Sequence, residues 1–350
     1  MEPSRRWLWL AGLLFVVLGI NEALRIWWRF DMLERLLALL LALTIWAFIN
    51  GRWIFAYYYA LRSAWLTGKL PLEAPLAEGE GLLVVAPHPD DETLAAAGQI
   101  DLALRRGARV RIVWLTSGDG FDLASGKAAP PQEEMRRLAL KRMAEARRAA
   151  EILGVAEAEQ VFLGYPDLGL LRVFSSHYYL PYTSPHTGLD SVSYPGCRSL
   201  GAPYTGESLE ADLAAAIEEF APSRVLVPSP LDAHPDHQAA AFVTMRVMGK
   251  MRRQQALRYY IVHGGYEYPL PKGLHPHLLL YPPPRGRRLP WLQTALDEEA
   301  QEKKLAAARA HASQTRLIGK FMLAFVRRSE LSSRLPIPLR ELPDELRQLD

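Results

Sequence analysis

Ala86-Pro87-His88-Pro89-Asp90-Asp91-Glu92, directly after the apolar run Leu82-Leu83-Val84-Val85, is the stretch around which the chain is organised. A short apolar run that ends in a turn reads as a buried strand, and Thr93 to Arg106 reads as a helix. The turn therefore joins a strand end to a helix start. Pro89 falls near the first helical position, where a missing N–H costs little. One imidazole and three carboxylates are packed into seven residues. His88 and Asp91 are three apart, so both can face one side of the opening helical turn. That spacing suits two metal ligands. Asp90 is out of register with them and is left free to act as a base. An acidic helix N-terminus, favoured by the helix dipole alone, is the plainer alternative.

His234-Pro235-Asp236-His237 repeats the arrangement after a second apolar run, Val225-Leu226-Val227-Pro228. Capping alone does not account for two such turns. Open α/β sheets bind ligands at the carboxyl ends of their strands. The two turns can converge there, with His88, Asp91 and His237 around a metal. Three N/O ligands and an open position form the pattern of catalytic zinc. Two histidines and a carboxylate also hold non-haem Fe²⁺, so the metal's identity stays open. Asp236, beside two imidazoles, is a candidate for orienting a ligand, and Glu92 is a second supporting candidate in the first turn.

At these residues the chain resembles the PIG-L/LmbE-like N-acetylglucosaminyl deacetylases. The resemblance rests on an HPDDE turn at 88–92 and an HxxH turn at 234–237, and extends over about residues 80–330. It implies a Rossmann-like α/β fold, with a mostly parallel sheet and helices on both faces. It also implies Zn²⁺ on His88, Asp91 and His237, with Asp90 as general base. His234 would assist the tetrahedral intermediate or the leaving group. Three further positions follow the family pattern. Asp119 lies in a Thr116–Gly120 loop of the kind that lines the site. Arg142, with Glu145, matches an R-x-x-E helix whose Arg can reach substrate. Asp167 lies in Gly164-Tyr165-Pro166-Asp167, whose Asp contacts the sugar. Leu168 departs from that pattern, which often has Gly there. Lys304, Ser313-Gln314 and Glu330 resemble the family's C-terminal helix region. His263, at the end of an expected strand over Tyr259–Val262, is a candidate substrate residue, with a structural role as its alternative.

The chain has 350 residues, enough for a sizeable core. Its net charge of +3 and the absence of a basic, aromatic-interleaved stripe exclude a nucleic-acid partner. The single cysteine, Cys197, excludes an internal disulfide. Before the first strand the composition changes. Arg5-Arg6 precede an apolar run from Trp7 to Ile20, an aromatic- and Arg-rich connector follows, and a second apolar run spans Leu36 to Ile49. With their flanks the two runs reach spanning length, so a transmembrane hairpin is expected over 1–70. A basic start puts the catalytic domain on the cytoplasmic side. Residues 71–80 read as a linker, 81–330 as the deacetylase domain and 331–350 as a Pro-broken, acidic tail. Residues 121–132 read as a loop, and the Tyr-rich stretch 172–207 as a substrate lid.

These observations predict a metal-dependent hydrolase that removes the N-acetyl group from an N-acetylglucosamine-type sugar. Its substrate would be an N-acetylated amino-sugar conjugate, lipid-linked or close to a membrane, and membrane lipid would be a further partner. A membrane-anchored sugar- or glycolipid-binding protein of the same fold, without turnover, is the alternative. An iron oxygenase has only its ligand types in favour.

Overall fold

Leu82–Val85 lie in an interior strand of a seven-stranded sheet. Its strands are β1 (Gly81–Ala86), β2 (Arg109–Thr116), β3 (Gln160–Tyr165), β4 (Arg224–Pro228), β5 (Leu257–Tyr260), β6 (Trp291–Ala295) and β7 (Ser329–Ser333). The order across the sheet is β3-β2-β1-β4-β5-β7-β6. Strands β1 to β5 pair in parallel, and β7 and β6 add an antiparallel edge. Every residue of β1 is buried, as expected for a parallel strand covered on both faces. The computed structural model describes residues 3–27, 29, 31–121, 130–265 and 268–338. Most of the expected 121–132 loop and residues 339–350 of the expected tail lie outside them.

The chain divides into two compact units, Met1–Tyr59 and Ala60–Asp350. In the second, helices α3 (Asp91–Arg105), α4 (Gln132–Leu153) and α8 (Glu298–Ala310) pack together. Helices α5 (Leu170–Phe174), α6 (Gly206–Phe220) and α7 (Pro235–Lys250) form a second group. Helix α9 (Ala312–Leu323) follows α8 after a break at His311. The chain winds outward from β1 through β2 to β3, then returns to the other side of β1 as β4. That direction reverses at the carboxyl ends of β1 and β4, the switch point where open α/β sheets bind ligands. Both motif turns sit there.

The first unit corrects the expectation of a transmembrane hairpin. Helix α1 (Pro3–Ile26) and helix α2 (Met32–Thr67) form, the latter running past the end of this unit. Among the described residues no helix is long and apolar enough to cross a membrane. The uninterrupted runs, 7–20 and 36–49, explain why. At about 1.5 Å per residue each covers roughly 21 Å, short of a hydrocarbon core of about 30 Å. Polar residues begin and end the helices instead. Asp31 Oδ1 accepts the Glu34 N–H at 2.9 Å and Glu34 Oε2 accepts the Asp31 N–H at 3.0 Å, a reciprocal cap at the start of α2.

Other boundaries move for identifiable reasons. Thr205 caps α6, its Oγ1 accepting the Ser208 N–H at 3.2 Å. The 71–80 stretch is not a free linker: Glu73 N–H donates to Gln293 O at 2.9 Å, and Gln293 N–H to Pro71 O at 2.8 Å. Residues 331–333 belong to β7 rather than to a tail. The 172–207 stretch is irregular, as expected, but much of it is packed rather than free to act as a lid. Tyr194 and Tyr204 are buried, Phe162 bridges to Cys197, and Tyr178 Oη donates to Glu210 Oε2 at 2.7 Å. A tyrosine ring gains from burial when its hydroxyl finds an acceptor. Cys197 is buried and free.

Candidate active site

The turn after β1 folds back so that His88 meets Asp91 twice. Asp91 Oδ2 accepts the His88 N–H at 3.0 Å and lies 3.1 Å from His88 Nδ1. The start of α7 brings His237 Nε2 to the same oxygen, again at 3.1 Å. One carboxylate oxygen thus sits between two imidazoles delivered by two different strand ends. His237 Nδ1 lies 3.2 Å from Asp232 Oδ2. His237 is fully buried, and neither ring nitrogen has a partner in hydrogen-bond geometry. Buried imidazole nitrogens left without hydrogen bonds, beside carboxylate oxygens, form a donor set suited to a divalent cation. His88, His234 and His237 also bring ligand atoms within 4.8 Å of one another, as do Asp91, His237 and His263, and His88, Asp167 and Asp236.

The electrostatics agree with that donor set. Burial pushes the His237 imidazole down, but Asp232 and Asp91 outweigh it and raise it to about 10. His88 is held well above the ordinary range, because the carboxylates of Asp167, Asp236 and Asp91 together outweigh its burial. Burial opposes ionisation of Asp91, yet the two imidazoles hold it well below the usual carboxylate range. The buried carboxylates around this point draw positive charge, which the imidazole protons balance here and which a bound divalent cation would supply in their place.

Asp90 stands apart. It occupies the N-cap position of α3 without capping it. Its Oδ2 accepts from Gln314 Nε2, on α9, and lies 3.6 Å from Arg142 Nη2. Burial, then Asp91, pushes its carboxyl up to about 6, against the pull of Arg142, His88 and His311. Arg142 is itself buried. Its Nη1 donates to Gly118 O at 2.9 Å and lies 3.5 Å from Asp167 Oδ2. Gly118 has φ +72, and a Cβ there would lie 2.6 Å from the guanidinium, so only glycine fits.

Asp167 Oδ1 reaches His88 Nε2 at 3.1 Å, and its Oδ2 accepts the Gly120 N–H at 3.0 Å. Asp119, expected at the substrate, is fully buried. It accepts from Asp167 N at 3.0 Å and Tyr194 Oη at 2.7 Å, contacts that position Asp167. Asp236 takes the Leu168 N–H at 2.6 Å and the Leu170 N–H at 3.0 Å, and its Oδ2 lies 3.3 Å from His88 Nε2. It can orient that ring. Glu92 turns into the core instead. It accepts from Trp114 Nε1 at 2.8 Å and Thr93 Oγ1 at 2.7 Å, and meets His311 Nε2 at 3.2 Å. One residue further along the helix, its side chain projects to a different side from Asp91.

His234 caps α7, its Nδ1 accepting the Asp236 N–H at 3.2 Å. Its ring lies edge-on to His88 at 4.6 Å and 5.2 Å from His237. Burial, then the imidazoles of His88, His237 and His263, lowers it to about 3. His263 stacks on Phe321 at 5.9 Å, 4.9 Å from the His237 ring, and burial, then His237, lowers it to about 4.

Sequence reasoning passed over Asp232. Its Oδ2 accepts the backbone N–H groups of Val262 and His263 at 2.9 and 3.0 Å while facing His237, and its Oδ1 accepts the His234 N–H at 2.9 Å. The available signal was an acid two residues before His234 in the same turn. Carboxylates behind a ligating imidazole raise its basicity and fix its ring. An Asp232→Asn protein is therefore expected to bind Zn²⁺ about 10- to 100-fold more weakly, by competition with a chromophoric chelator. Unchanged affinity would make Asp232 a loop fastening only.

Comparison with known proteins places these residues in a family. The model of PIG-L, GlcNAc-PI de-N-acetylase, matches residues 83–248. The diacetylchitobiose deacetylase of Thermococcus kodakarensis is 26% identical over 175 residues, 49% of this chain. That match spans only 50% of the relative's length. The 1D-myo-inositol 2-acetamido-2-deoxy-alpha-D-glucopyranoside deacetylase of Mycobacterium sp. (strain KMS) is 28% identical over 259 residues, covering 67% of this chain and 73% of the relative. A conserved protein of Thermus thermophilus superposes with a TM-score of 0.45 at 22% identity, covering 76% of this chain and 98% of that one. Residues 83–248, which carry both motif turns with His88, Asp91 and His237, are a domain of the PIG-L, GlcNAc-PI de-N-acetylase family.

Proposed function

We propose that the chain is a metal-dependent N-deacetylase acting on an N-acetylglucosamine-type sugar. One observation carries the reading: Asp91 Oδ2 lies 3.1 Å from both His88 Nδ1 and His237 Nε2, while the adjacent Asp90 is engaged elsewhere. His88, Asp91 and His237 would hold the cation, for which Zn²⁺ suits the N/O set and Fe²⁺ is the second choice. When bound, such a cation acidifies water and polarises an amide carbonyl. Asp90, with its carboxyl near 6, can take a proton from water and return it to the leaving amine close to neutral pH. His234 contributes a fixed donor. Its Nδ1 accepts a backbone N–H, so the neutral ring carries its proton on Nε2. That Nε2–H can stabilise the oxyanion of a tetrahedral intermediate. Arg142 and Asp167, adjoining Asp90 and His88, are assigned to the sugar hydroxyls.

The named activities of the two curated relatives, on diacetylchitobiose and on an inositol 2-acetamido-glucoside, support a 2-acetamido sugar as the substrate class. The test is acetate release from N-acetylglucosamine, diacetylchitobiose and alkyl N-acetylglucosaminides. It is run with the protein stripped of metal and then reloaded with Zn²⁺ or Fe²⁺. Metal-dependent release is expected. Binding of these sugars without release under either metal would favour the non-catalytic alternative and overturn the assignment.

The first unit bears on location. Phe15 and Trp27 are 82% exposed and Phe48 88%. A helix pair apolar on many sides needs an apolar environment, and we assign it to a membrane surface, where the substrate would be lipid-linked. The full-length protein is expected to float with anionic vesicles in a density gradient, and Trp27→Asp/Phe48→Asp to lower the floated fraction several-fold. Equal flotation of the two proteins would remove support for this surface.

A further inference from the structure

We infer that Leu168 is a specificity residue: its side chain forms an apolar lip at the rim of the site and selects substrates that carry an apolar group beside the hydrolysed amide. The inference rests on the deacetylase reading and narrows its substrate class.

Leu168 has φ 61, in the left-handed region that L-residues other than Asn and Asp avoid. The turn holds it there from both sides. Asp167, before it, contacts His88 Nε2 at 3.1 Å. Its own N–H donates to Asp236 Oδ2 at 2.6 Å, and that oxygen is 3.3 Å from the same His88 nitrogen. The backbone shape is thus tied to the orientation of a proposed ligand, and glycine would adopt it without strain. A leucine stands there instead, and 46% of it is exposed. It is not a core residue, so packing does not account for it. A strained residue next to a site points to function rather than to fold stability.

The position of the side chain fits a rim. A Cβ added at Gly120 would lie 3.0 Å from Leu168 Cγ and 3.1 Å from Asp167 Cγ. Leu168 therefore leans across Gly120 beside the Asp167 carboxylate. At Gly169 an added Cβ would lie 2.8 Å from the ring of Tyr182, so a half-buried aromatic adjoins the same turn. Phe121, next after Gly120, lies under the Arg142 guanidinium at 5.4 Å. Leu168 and Phe121 offer apolar surface beside Asp167 and Arg142, the polar groups assigned to the sugar, and Tyr182 adjoins the same turn. Such surface gains free energy only if the substrate covers it with apolar atoms.

Two attachment points supply such atoms, an alkyl or lipid aglycone and a longer N-acyl chain. The experiment separates them. Steady-state hydrolysis is measured for full-length wild type, Leu168→Ala and Leu168→Gly, reloaded with metal. One arm compares octyl with methyl N-acetylglucosaminide, the other N-hexanoyl with N-acetyl methyl glucosaminide. In one arm the ratio of kcat/KM for the apolar over the small substrate is expected to fall about tenfold, through KM, in both variants. A fall in the octyl arm assigns the lip to the aglycone, and one in the hexanoyl arm assigns it to the acyl chain. Unchanged ratios in both arms overturn the inference. Alanine keeps the strained φ and glycine releases it, so the glycine variant should melt higher than the alanine variant. A selectivity change that follows melting temperature instead of the lost side chain overturns the inference as well. Calorimetric Kd values for octyl N-acetylglucosaminide and N-hexanoyl methyl glucosaminide keep the two readings separate. Binding that weakens in both variants, without turnover in wild type, defeats only the deacetylase reading. Binding of both octyl N-acetylglucosaminide and N-hexanoyl methyl glucosaminide that is indifferent to residue 168 defeats the lip.

Discussion

Asp90→Asn is expected to keep its metal and lose turnover by a factor of about 10² to 10⁴, the scale of a general base removed. The substitution is close to isosteric. The new amide oxygen can still accept from Gln314 Nε2, as Asp90 Oδ2 does now, so the end of α9 need not move. What disappears is a carboxyl that burial, then Asp91, has raised to about 6. Neither Asp91 nor Asp167 is equivalent. Asp91 lies between two imidazoles, and Asp167 is held by His88, Arg142 and the Gly120 N–H. The readouts are metal content by atomic emission and kcat for acetate release. Asp90→Asn protein that purifies without metal would make Asp90 a ligand, and the division between base and ligand set would fall with it.

The parts of this site that were legible in the sequence are those made by neighbours along the chain. His88 and Asp91 share a helical turn, and His234 and His237 share another, so spacing alone gave their relative positions. The runs Leu82–Val85 and Val225–Pro228 gave the buried parallel strands that deliver them. Residues that arrive from elsewhere carried little signal. Gln314, singled out only through the family resemblance, reaches Asp90 across a separation of 224 positions, and Tyr194 reaches Asp119 across 75. Tyr194 reads as part of a substrate lid because tyrosine suits either a surface or a buried hydroxyl with a partner. Strand β7 was missed for a related reason. Ser329, Glu330, Ser332 and Ser333 are all buried in it, and a buried polar strand has no apolar alternation to read. The N-terminal helices were legible as helices. Their membrane spans were over-read, because counting polar flanks lengthened two runs that are each too short on their own.

Within β7, Glu330 leads to the largest stability effect expected outside the site. It is buried against Lys304 of α8, also buried, whose Nζ donates to its Oε1 at 2.6 Å and to Leu94 O at 2.8 Å. The same carboxylate accepts the N–H groups of Gly98 and Gln99 at 2.8 and 2.9 Å. One ion pair thus ties β7 and α8 to the middle of α3. Gly98 also lets Leu296 pack closely on α3, since a Cβ there would lie 2.4 Å from its side chain. Burial lowers the Lys304 ammonium, and Glu330 opposes that shift. Replacing such a pair with two apolar residues can be neutral, but removing one partner leaves a buried charge uncompensated, typically at about 3–5 kcal/mol. Lys304→Met, similar in length and apolar, is accordingly expected to lower unfolding stability by about 3–5 kcal/mol in urea titrations. Helix α3 begins at Asp91, so loosening its middle bears on the oxygen that meets both imidazoles. Folded Lys304→Met protein is expected to bind Zn²⁺ more weakly than wild type, although residue 304 touches no proposed ligand. A stability loss under about 1 kcal/mol, in the range of exposed pairs, would mean that desolvation nearly cancels the attraction. The clamp on α3 would then have to come from the Glu330 backbone contacts alone.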